Sequence, residues 1–411
     1  MRVLHLSTYP VEVPRHGGQA RVANIVRTYE AAGIATRVIA VYQSEIYWKG
    51  VVGAHDVAFP LDSPHREPGL PLCTDVASGD FAVKDPQAWG AIEQTIASFK
   101  PEVIQLEQPW LWPVVERLRA DERSSPFRVV YSSQNVEAPL KRGVHAGQPD
   151  EITEAVVRRI AGLERDVVLG ADLTIAVTES DAATYREWGA RRVVVASNGI
   201  AERTVDQACL RAWETRLDER RFALFVGSAY PPNIHGFWEM FAPSMAFLAP
   251  DERVLVAGGI ADVLLDTPAY RLWERINASR IMLVGPQSEQ DLAALIALAS
   301  CIVLPITIGG GSNIKTAEAI FSGKPVVGTT LSLRGFERAL GLPHVYRTDV
   351  TSEFRRLVKA ALDRSLPPGG PDRPDVRRSV LWSETLKGLP AEIAALQSRT
   401  GSSEAADRAT M

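Results

Sequence analysis

The chain has 411 residues, 46% of them hydrophobic, and a formal net charge of −4, which predicts about two or three globular domains and gives no electrostatic reason to expect nucleic acid. Its three cysteines are scattered, without the spacing of a disulfide framework or a zinc site, and no apolar stretch reaches the roughly 18 residues of a membrane-spanning helix. We therefore expect a soluble cytoplasmic protein, with peripheral contact at the inner face of the cytoplasmic membrane left open.

In the first half of the chain, short apolar runs alternate with helical patterns, which is typical of βαβ units around a parallel sheet. A strand at RVLHLS leads through a glycine loop into a helix over about 18–32, and a second helical pattern covers 151–169. Further strands are predicted at TRVIAV, PEVIQLE, RVVYSS, LTIAV and RVVVASNG. Residues 45–90 are interrupted by prolines and show little periodicity, so we predict a long irregular segment there.

The second half repeats the alternation, with strands predicted at FALFVGS, RVLVAGG, RIMLVG, CIVLPI and PVVGT. A charged segment near 201–220 breaks the pattern and marks a domain boundary. The predicted organisation is therefore an N-terminal domain over 1–205 and a C-terminal domain over 206–375. An amphipathic segment over 376–398 follows, and then a flexible polar tail over 399–411.

The glycine run in CIVLPITIGGGSNIKTAEAI lies between a strand and a helix. Such a junction gathers unpaired backbone N–H groups at the positive end of a helix dipole, which favours an anionic oxygen. Ser312 or Asn313 can cap the helix, and Lys315 adds a cation in its first turn, where a cation is unfavourable unless an anion binds. The alternative, a tight turn with Lys315 in solvent, stays open because short glycine motifs match often by chance.

A second glycine loop, PRHGGQARV, follows the first strand, and His16, Gly17 and Gly18 are expected at the carboxyl edge of that sheet, where open α/β folds bind ligands. Glycines that only shape a turn, with His16 in solvent, are the competing interpretation. Neither loop has the Walker or GxGxxG spacing, which excludes a P-loop NTPase and an ordinary Rossmann dehydrogenase by motif.

Taken in order, HGGQARV, SSQNVEA, AVTESDAA, VVVASNGI, LFVGSAYPPNIHGF, VLVAGG and GGGSNIKTAEAIFSGKPVVGT resemble the retaining glycosyltransferases of family 4, which have the GT-B fold. The resemblance covers most of the chain. It implies two Rossmann-like, doubly wound parallel-sheet domains facing across a cleft, with a C-terminal helix that crosses back to the N-terminal domain.

The resemblance also implies that the C-terminal half holds a nucleotide-sugar donor, UDP- or GDP-linked, and the N-terminal half the acceptor. Glu318 matches a glutamate that binds the ribose hydroxyls, and Lys315 with the loop backbone would hold the pyrophosphate; these two are the predicted catalytic residues. The predicted donor-binding set is Gly17, Gly18, Gly227, Ser228, Asn233, Gly309, Gly310, Gly311, Ser312, Asn313, Lys315 and Glu318. The predicted acceptor-side or sugar-proximal set is His16, Glu107, Gln134, Asn135 and Glu137.

Three departures from the family pattern indicate a variant site. The first glutamate of the family's pair is replaced by Gly310, and the usual Arg and Lys phosphate clamps are replaced by Ser228 and Asn233. Gln134 stands where many relatives carry a histidine near the reacting sugar. These changes leave open whether activity is altered or lost.

Two aromatic or charged stretches have competing interpretations. In PEVIQLEQPWLW we expect Trp110 and Trp112 to pack in the core and Glu107 or Gln108 to act at the cleft. In QNVEAPLKRGVH the cations suit an acidic or lipid-linked acceptor, and a solvated charged loop is an equal alternative.

The resulting functional hypothesis is a retaining, metal-independent glycosyltransferase that transfers a sugar to a hydroxyl of a glycan or lipid-linked acceptor in polysaccharide or glycolipid biosynthesis. No cofactor beyond the nucleotide-sugar co-substrate and no metal is expected, because the chain lacks the DxD motif of the other major glycosyltransferase fold. A nucleotide-sugar 2-epimerase of the same architecture and a non-catalytic nucleotide-sugar-binding protein are the alternatives. The donor base and sugar, the acceptor and the oligomeric state are not determined by the sequence.

Overall fold

The computed structural model describes residues 1–47, 49–60, 62–63, 75–122, 125–144, 151–367 and 372–397. The chain divides into two compact units. The first unit consists of Met1–Ser197 together with the chain from Thr385 onward, and the second of Asn198–Glu384.

The first unit is built on a seven-stranded sheet in the order β3-β2-β1-β4-β5-β6-β7. Every pairing in it is parallel. The strands are β1 (Arg2–Ser7), β2 (Ala35–Gln43), β3 (Val57–Phe59), β4 (Val103–Leu106), β5 (Arg128–Ser132), β6 (Leu173–Ala176) and β7 (Val193–Val195). Strands β4 and β6 are buried along their whole length, as expected for strands covered on both faces of a parallel sheet.

In the part of the chain that the structure describes, seven α-helices of the first unit precede its last strand. They are α1 (Gly17–Ala31), α2 (Val76–Lys84), α3 (Pro86–Phe99), α4 (Trp112–Ala120), α5 (Glu137–Val144), α6 (Glu151–Gly170) and α7 (Glu179–Glu187). The predicted helices over 18–32 and 151–169 are confirmed as α1 and α6. Trp110 and Trp112 are buried, as predicted for packing residues.

One segment predicted as a loop, and one for which a loop was an open alternative, contain helices instead. The segment 45–90 contains β3, α2 and the start of α3, although Pro64, Pro68 and Pro71 lie outside the described residues. Helix α2 packs closely against the segment just before α4, where a Cβ at Gly79 would collide with the carbonyl oxygen of Trp110. The charged stretch after Asn135 is not a loop either, because Glu137–Val144 is α5.

The second unit has a six-stranded, all-parallel sheet in the order β10-β9-β8-β11-β12-β13. The strands are β8 (Arg221–Val226), β9 (Glu252–Ala257), β10 (Ile281–Gly285), β11 (Cys301–Leu304), β12 (Val326–Gly328) and β13 (Val345–Arg347). The helices are α8 (Gln207–Leu217), α9 (Pro231–Phe241), α10 (Ala261–Leu264), α11 (Pro268–Leu272), α12 (Glu274–Arg280), α13 (Glu289–Leu298), α14 (Ile314–Ser322), α15 (Thr351–Leu362), α16 (Pro374–Arg378) and α17 (Trp382–Thr385). With both sheets parallel and flanked by helices, the predicted class of two Rossmann-like domains is confirmed.

Helix α9 lies against the loop that follows β11. Its residue Gly236 is so close to this loop that a Cβ there would collide with the carbonyl oxygen of Pro305. Phe237 and Phe241, on the same helix, are buried in the core beside Phe225. The side chains at the start of α9 are thereby fixed near the glycine loop.

The C-terminal segment is not the single helix predicted over 376–398. It forms α16, α17 and a helical stretch over 389–397, and residues 398–411 lie outside the described part. The interruption has a backbone cause: Ile200 donates to the carbonyl of Val380 and accepts from the N–H of Trp382, so the chain is extended there. Among the described residues, no helix is both long and apolar enough to cross a membrane.

Candidate functional site

The glycine loop of the second unit joins β11 to α14 in a conformation that requires glycine. Gly309 has φ 143° and Gly311 has φ 60°, both in the region that other residues rarely adopt. The carbonyl of Gly311 accepts hydrogen bonds from Nε and Nη2 of Arg334, at 3.0 and 2.9 Å. The guanidinium of Arg334 therefore holds the loop, although the glycine motif did not indicate this residue.

The start of α14 lacks the side-chain cap that was predicted. Asn313 is the N-cap residue but its side chain makes no capping hydrogen bond. Ser312 is turned to another partner: its Oγ accepts from the N–H of Asn198 at 3.1 Å, and its carbonyl accepts from Nδ2 of Asn198 at 2.7 Å. Backbone N–H groups of the first turn thus have no side-chain cap, which suits an anion.

Lys315 lies in this first turn. It contacts Asn233 directly, and Asn233 in turn contacts Ser228; both were predicted to bind the donor. Its Nζ donates to Oδ1 of Asn233 at 2.6 Å. Nδ2 of Asn233 in turn donates to the carbonyl and Oγ of Ser228, at 3.1 and 3.2 Å. The ammonium also lies 5.2 Å from the centre of the Phe225 ring. The replacements for the family's clamps therefore form one polar cluster around the lysine.

The charge of Lys315 is not neutralised by a carboxylate from the residues that the structure covers. Burial lowers the pKa of its ammonium to about 8, so it is still mostly protonated at neutral pH. A half-buried cation with only a neutral amide as hydrogen-bond partner can accept an anionic ligand without first losing an ion pair.

Gly227 lies at the carboxyl end of β8, where the backbone is tightly packed. Its N–H donates to Ala257 at 2.9 Å, and its carbonyl accepts from Ile260 at 3.1 Å. A Cβ at Gly258 would collide with that carbonyl. These contacts fix the turn that leads to Ser228.

Glu318 lies one turn further along α14 and forms an ion pair. Its Oε1 is 2.7 Å from Nη1 of Arg203, and Arg203 also lies 3.7 Å from Glu289. Burial raises the pKa of the Glu318 carboxyl, and the nearby guanidinium opposes that shift. Arg203 lies in the charged segment that the sequence marked only as a boundary.

In the first unit, the second glycine loop meets Tyr9 and Gln134. His16 is the N-cap residue of α1, and its ring lies 4.8 Å from that of Tyr9. A Cβ at Gly18, beside Gly17 in the first turn, would collide with the Tyr9 hydroxyl. Nε2 of Gln134 donates to that same hydroxyl, so Tyr9 connects the loop to Gln134.

Glu107 is fully buried behind this loop. Its Oε1 is 2.6 Å from Nδ1 of His5 and accepts from Nε2 of Gln105 at 2.8 Å. Oε1 of Gln105 accepts from the Tyr29 hydroxyl at 2.9 Å. Glu107 thus belongs to a buried network, and Gln108 accepts from the N–H of Thr8 at 3.1 Å.

Asn135 and Glu137 lie close to a second buried carboxyl, that of Glu164. Glu164 accepts from the hydroxyl of Tyr131 at 2.9 Å and from the N–H of Glu137 at 2.8 Å. Burial, together with the charge of Glu137, raises the pKa of Glu164 to about 8. Nδ2 of Asn135 lies 3.4 Å from Oε1 of Glu137. This network fixes the segment that carries Gln134.

The structure therefore brings the predicted residues together in two groups, each within its own unit. Ser228, Asn233 and Lys315 form one cluster at the start of α14. Gly18, also predicted to bind the donor, lies in the other unit, with His16 and Gln134 around Tyr9. Within the ranges that the structure describes, no group of three or more His, Cys, Asp or Glu side chains is arranged to hold a metal ion.

Comparison with known proteins is consistent with this architecture. The family model described as glycosyl transferase 4-like domain matches residues 16–199, and that of glycosyl transferases group 1 matches residues 220–347. No curated protein matches the chain by sequence.

Solved structures match over nearly the whole chain at low identity. Sucrose-phosphate synthase from Thermosynechococcus elongatus is 12% identical, with 97% of this chain and 99% of that chain covered and a TM-score of 0.65. Anabaena HepE in complex with UDP and glucose is 14% identical, with 97% and 100% covered and a TM-score of 0.61. Trehalose 6-phosphate synthase from Burkholderia multivorans is 13% identical, with 98% of each chain covered and a TM-score of 0.59.

The two parallel-sheet units and these matches define a glycosyltransferase of the GT-B fold. Within that class, the chain belongs to the family that combines a glycosyl transferase 4-like N-terminal domain with a group 1 C-terminal domain.

Proposed function

We propose that the protein transfers a sugar from a nucleotide-sugar donor, with retention at the anomeric carbon, to a hydroxyl of a glycan or lipid-linked acceptor. The observation that carries this proposal is the Lys315 ammonium, hydrogen-bonded to Asn233 at the uncapped start of α14. A donor diphosphate at this point would meet backbone N–H groups and a cation together. The complex of HepE with UDP and glucose supports the same ligand class.

Each part of the donor has a proposed partner in the second unit. Lys315 and the backbone of Gly309 to Asn313 hold the diphosphate, and Glu318 accepts hydrogen bonds from the ribose hydroxyls. Gly310 replaces a carboxylate, so the loop backbone binds the sugar hydroxyls. The cation and the helix dipole stabilise the departing nucleoside diphosphate, which makes a metal ion unnecessary in this proposal.

The proposed chemistry is a displacement on one face of the sugar. The acceptor oxygen bonds to the anomeric carbon as the bond to the phosphate oxygen breaks, and the acceptor proton passes to the leaving phosphate. We place the acceptor at the first unit, near His16 and Gln134, where Tyr9 fixes the Gln134 amide. Glu107 is buried and acts there by positioning. A role in polysaccharide or glycolipid assembly in the cytoplasm is part of the same proposal.

Transfer from a panel of radiolabelled nucleotide sugars tests the proposal, with Lys315→Ala as the variant. The variant should bind the nucleoside diphosphate about 1–3 kcal/mol more weakly, because a charge-assisted contact is lost. Arg271→Ala is the matched control, since it removes a cation that is 65% exposed and pairs only with Asp266 in the described structure.

Three results would contradict the proposal in different ways. Unchanged affinity in Lys315→Ala would remove this lysine from the site. Donor binding without transfer to any acceptor would favour a non-catalytic binding protein. Interconversion of the donor without an acceptor, followed by NMR, would favour the epimerase.

A further inference from the structure

Two carboxyls of the first unit, those of Asp75 and Glu137, are shielded from water but have few hydrogen-bond partners. Asp75 is the N-cap residue of α2, yet its side chain makes no capping hydrogen bond. Glu137, at the start of α5, is 5% exposed, and within the described residues its carboxyl has a single hydrogen bond, the one of 3.4 Å from Nδ2 of Asn135. A shielded carboxyl without donors is unfavourable, so a ligand that supplies donors is favoured here.

The packing of α2 against α5 brings the two carboxyls near each other. Val76, which follows Asp75, and Ala138, which follows Glu137, lie in one cluster of buried apolar side chains. Burial raises the pKa of each carboxyl, and in each the ammonium of Lys141 opposes that shift. One cation is therefore shared by two carboxyls, and the three groups together are negative when all are ionised.

The cations of α5 consequently do not form a site for an acidic acceptor. Lys141 lies near the two carboxyls, and Arg142 lies 3.5 Å from Glu154 in an exposed ion pair. An incoming phosphate would meet more negative than positive charge. The structure thus argues against the acidic acceptor that these cations suggested in the sequence.

Two tyrosines and an amide connect the carboxyls to the glycine loop of this unit. Burial raises the pKa of Tyr47 to about 12, with a contribution from the charge of Asp75, and its hydroxyl lies 3.4 Å from Nε2 of His16. Burial also raises the pKa of Tyr9, and the charge of Asp75 again contributes. Gln108, 5% exposed, lies beside the Tyr9 hydroxyl, and its Nε2 has no hydrogen-bond partner in the described structure. A buried amide donor without an acceptor indicates a place for a ligand oxygen.

We propose that Asp75, Glu137 and Gln108 bind hydroxyl groups of a neutral glycan acceptor, and that they disfavour an acceptor that carries a phosphate. The inference rests on the proposed function, which places the acceptor beside the same glycine loop. The carboxyl oxygens accept hydrogen bonds from sugar hydroxyls, and the amide N–H donates to a hydroxyl oxygen. The rings of Tyr9 and Tyr47 supply apolar surface for the C–H face of the sugar.

Transfer from the preferred donor of the radiolabelled panel to two sets of acceptors tests the inference on the full chain. The first set is the octyl glycosides of glucose, galactose and mannose, and the second is the 6-phosphates of the same sugars. The wild type should prefer the neutral set about tenfold or more. Asp75→Ala should raise the KM for the neutral acceptor about tenfold, because a hydrogen bond to a charged group is lost. Calorimetry should show unchanged UDP binding in the same variant.

Asp75→Asn separates the charge from a structural role, because it keeps an acceptor oxygen and removes the negative charge. It should narrow the preference for neutral over phosphorylated acceptors about tenfold, which a merely structural residue would not do. Glu137→Gln is the second variant if Asp75→Ala folds poorly, and it should narrow the preference in the same way. Asp166→Asn, at an exposed carboxyl on α6, is the matched control and should behave like the wild type.

The possible failures point to different conclusions. Equal or better transfer to the sugar phosphates by the wild type would overturn the inference and leave the proposed function intact. An unchanged acceptor KM in Asp75→Ala, or an unchanged preference in both Asp75→Asn and Glu137→Gln, would do the same. If the wild type transferred to no acceptor of either set, the proposed function would fail, and the inference with it.

Discussion

Polar side chains of the two units have different surroundings. In the first unit, His5, Gln105 and Glu107 are buried and bond to one another. In the second unit, Lys315 is only half-buried, and the start of its helix has no side-chain cap. The first group is bonded internally through Oε1 of Glu107, although Oε2 of Glu107 and Nε2 of His5 have no hydrogen-bond partner in the described structure. In the second group, the Lys315 ammonium donates to an amide oxygen.

This difference separates residues that stabilise the fold from residues that bind. A buried hydrogen-bonded carboxylate contributes to stability because its partners would otherwise be unsatisfied. A cation held near an uncapped helix start is unfavourable until an anion arrives, and such strain is common at binding sites. The first group should therefore respond to mutation in unfolding experiments, and the second in binding experiments.

Glu107→Ala should have the largest effect on stability, because it opens the buried network of the first unit. We expect the free energy of unfolding to fall by about 3–5 kcal/mol, since the partners of a buried carboxylate are left unsatisfied. Urea denaturation measures this loss. Glu179→Ala, at a carboxylate that is 73% exposed, is the control and should change stability by no more than about 0.5 kcal/mol. If Glu107→Ala lost no more than about 0.5 kcal/mol, the network would not be structural.

Gly18→Ala should have the next largest effect. The new methyl group would collide with the Tyr9 hydroxyl and the amide oxygen of Gln134, and overpacking of this kind costs about 1–3 kcal/mol. Sugar transfer should fall. Gly162→Ala on α6 is the control, because nothing lies within 4 Å of a Cβ there, and alanine should stabilise that helix by roughly 0.5–1 kcal/mol. Equal effects at the two glycines would contradict the prediction.

Glu164 makes the stability of the first unit depend on pH. Its folded-state pKa of about 8 lies above the ordinary value of 4.5, so the folded state holds a proton that the unfolded state has lost. Stability is therefore greatest below the unfolded pKa and decreases as pH rises through about 8. Between pH 7 and 9 we expect Glu164 to contribute a loss on the order of 1 kcal/mol. The difference between the urea midpoints of the wild type and of Glu164→Gln isolates this contribution, because the titration of Lys315 is common to both.

Lys315 should make ligand binding in the second unit depend on pH, in addition to the rise in stability with pH that its lowered pKa implies. An anion binds the protonated ammonium, whose pKa is about 8, so affinity is fully present below that pH and falls above it. UDP should bind about fivefold more weakly at pH 9 than at pH 8. Calorimetry at the two pH values measures the change. A wild-type decrease no larger than that of Lys315→Ala would assign the titration to another group.

Much of the fold could be predicted because its strands are apolar runs next to turn residues. The strand CIVLPI and its glycine loop are an example, since the residues that need special backbone angles are glycines in the sequence. Strands β3 (VAF) and β13 (VYR) escaped prediction because each is short and includes a small or charged residue, whereas β7 and β12, equally short, are marked by adjacent valines. Helix α2 was missed because its buried face is made of small residues such as Ser78 and Gly79.

The site was predictable only as far as local motifs reach. Lys315 and Glu318 lie on one helix in a recognisable motif, whereas Arg203 contacts Glu318 across 115 positions of the chain. Tyr9 is likewise separated from Gln134 by 125 positions. Only the fold shows such pairings, because no sequence pattern connects residues on different strands and loops.

The contact between Gly236 and Pro305 limits how this region can change over time. The resemblance places a serine and an asparagine where relatives carry basic residues, so we expect side chains around the lysine to be exchangeable. The position of helix α9 is more constrained. A single methyl group at position 236 would push the helix off the loop and carry Asn233 out of reach of Lys315. Around Lys315, the side chains can therefore vary, whereas the position of α9 cannot.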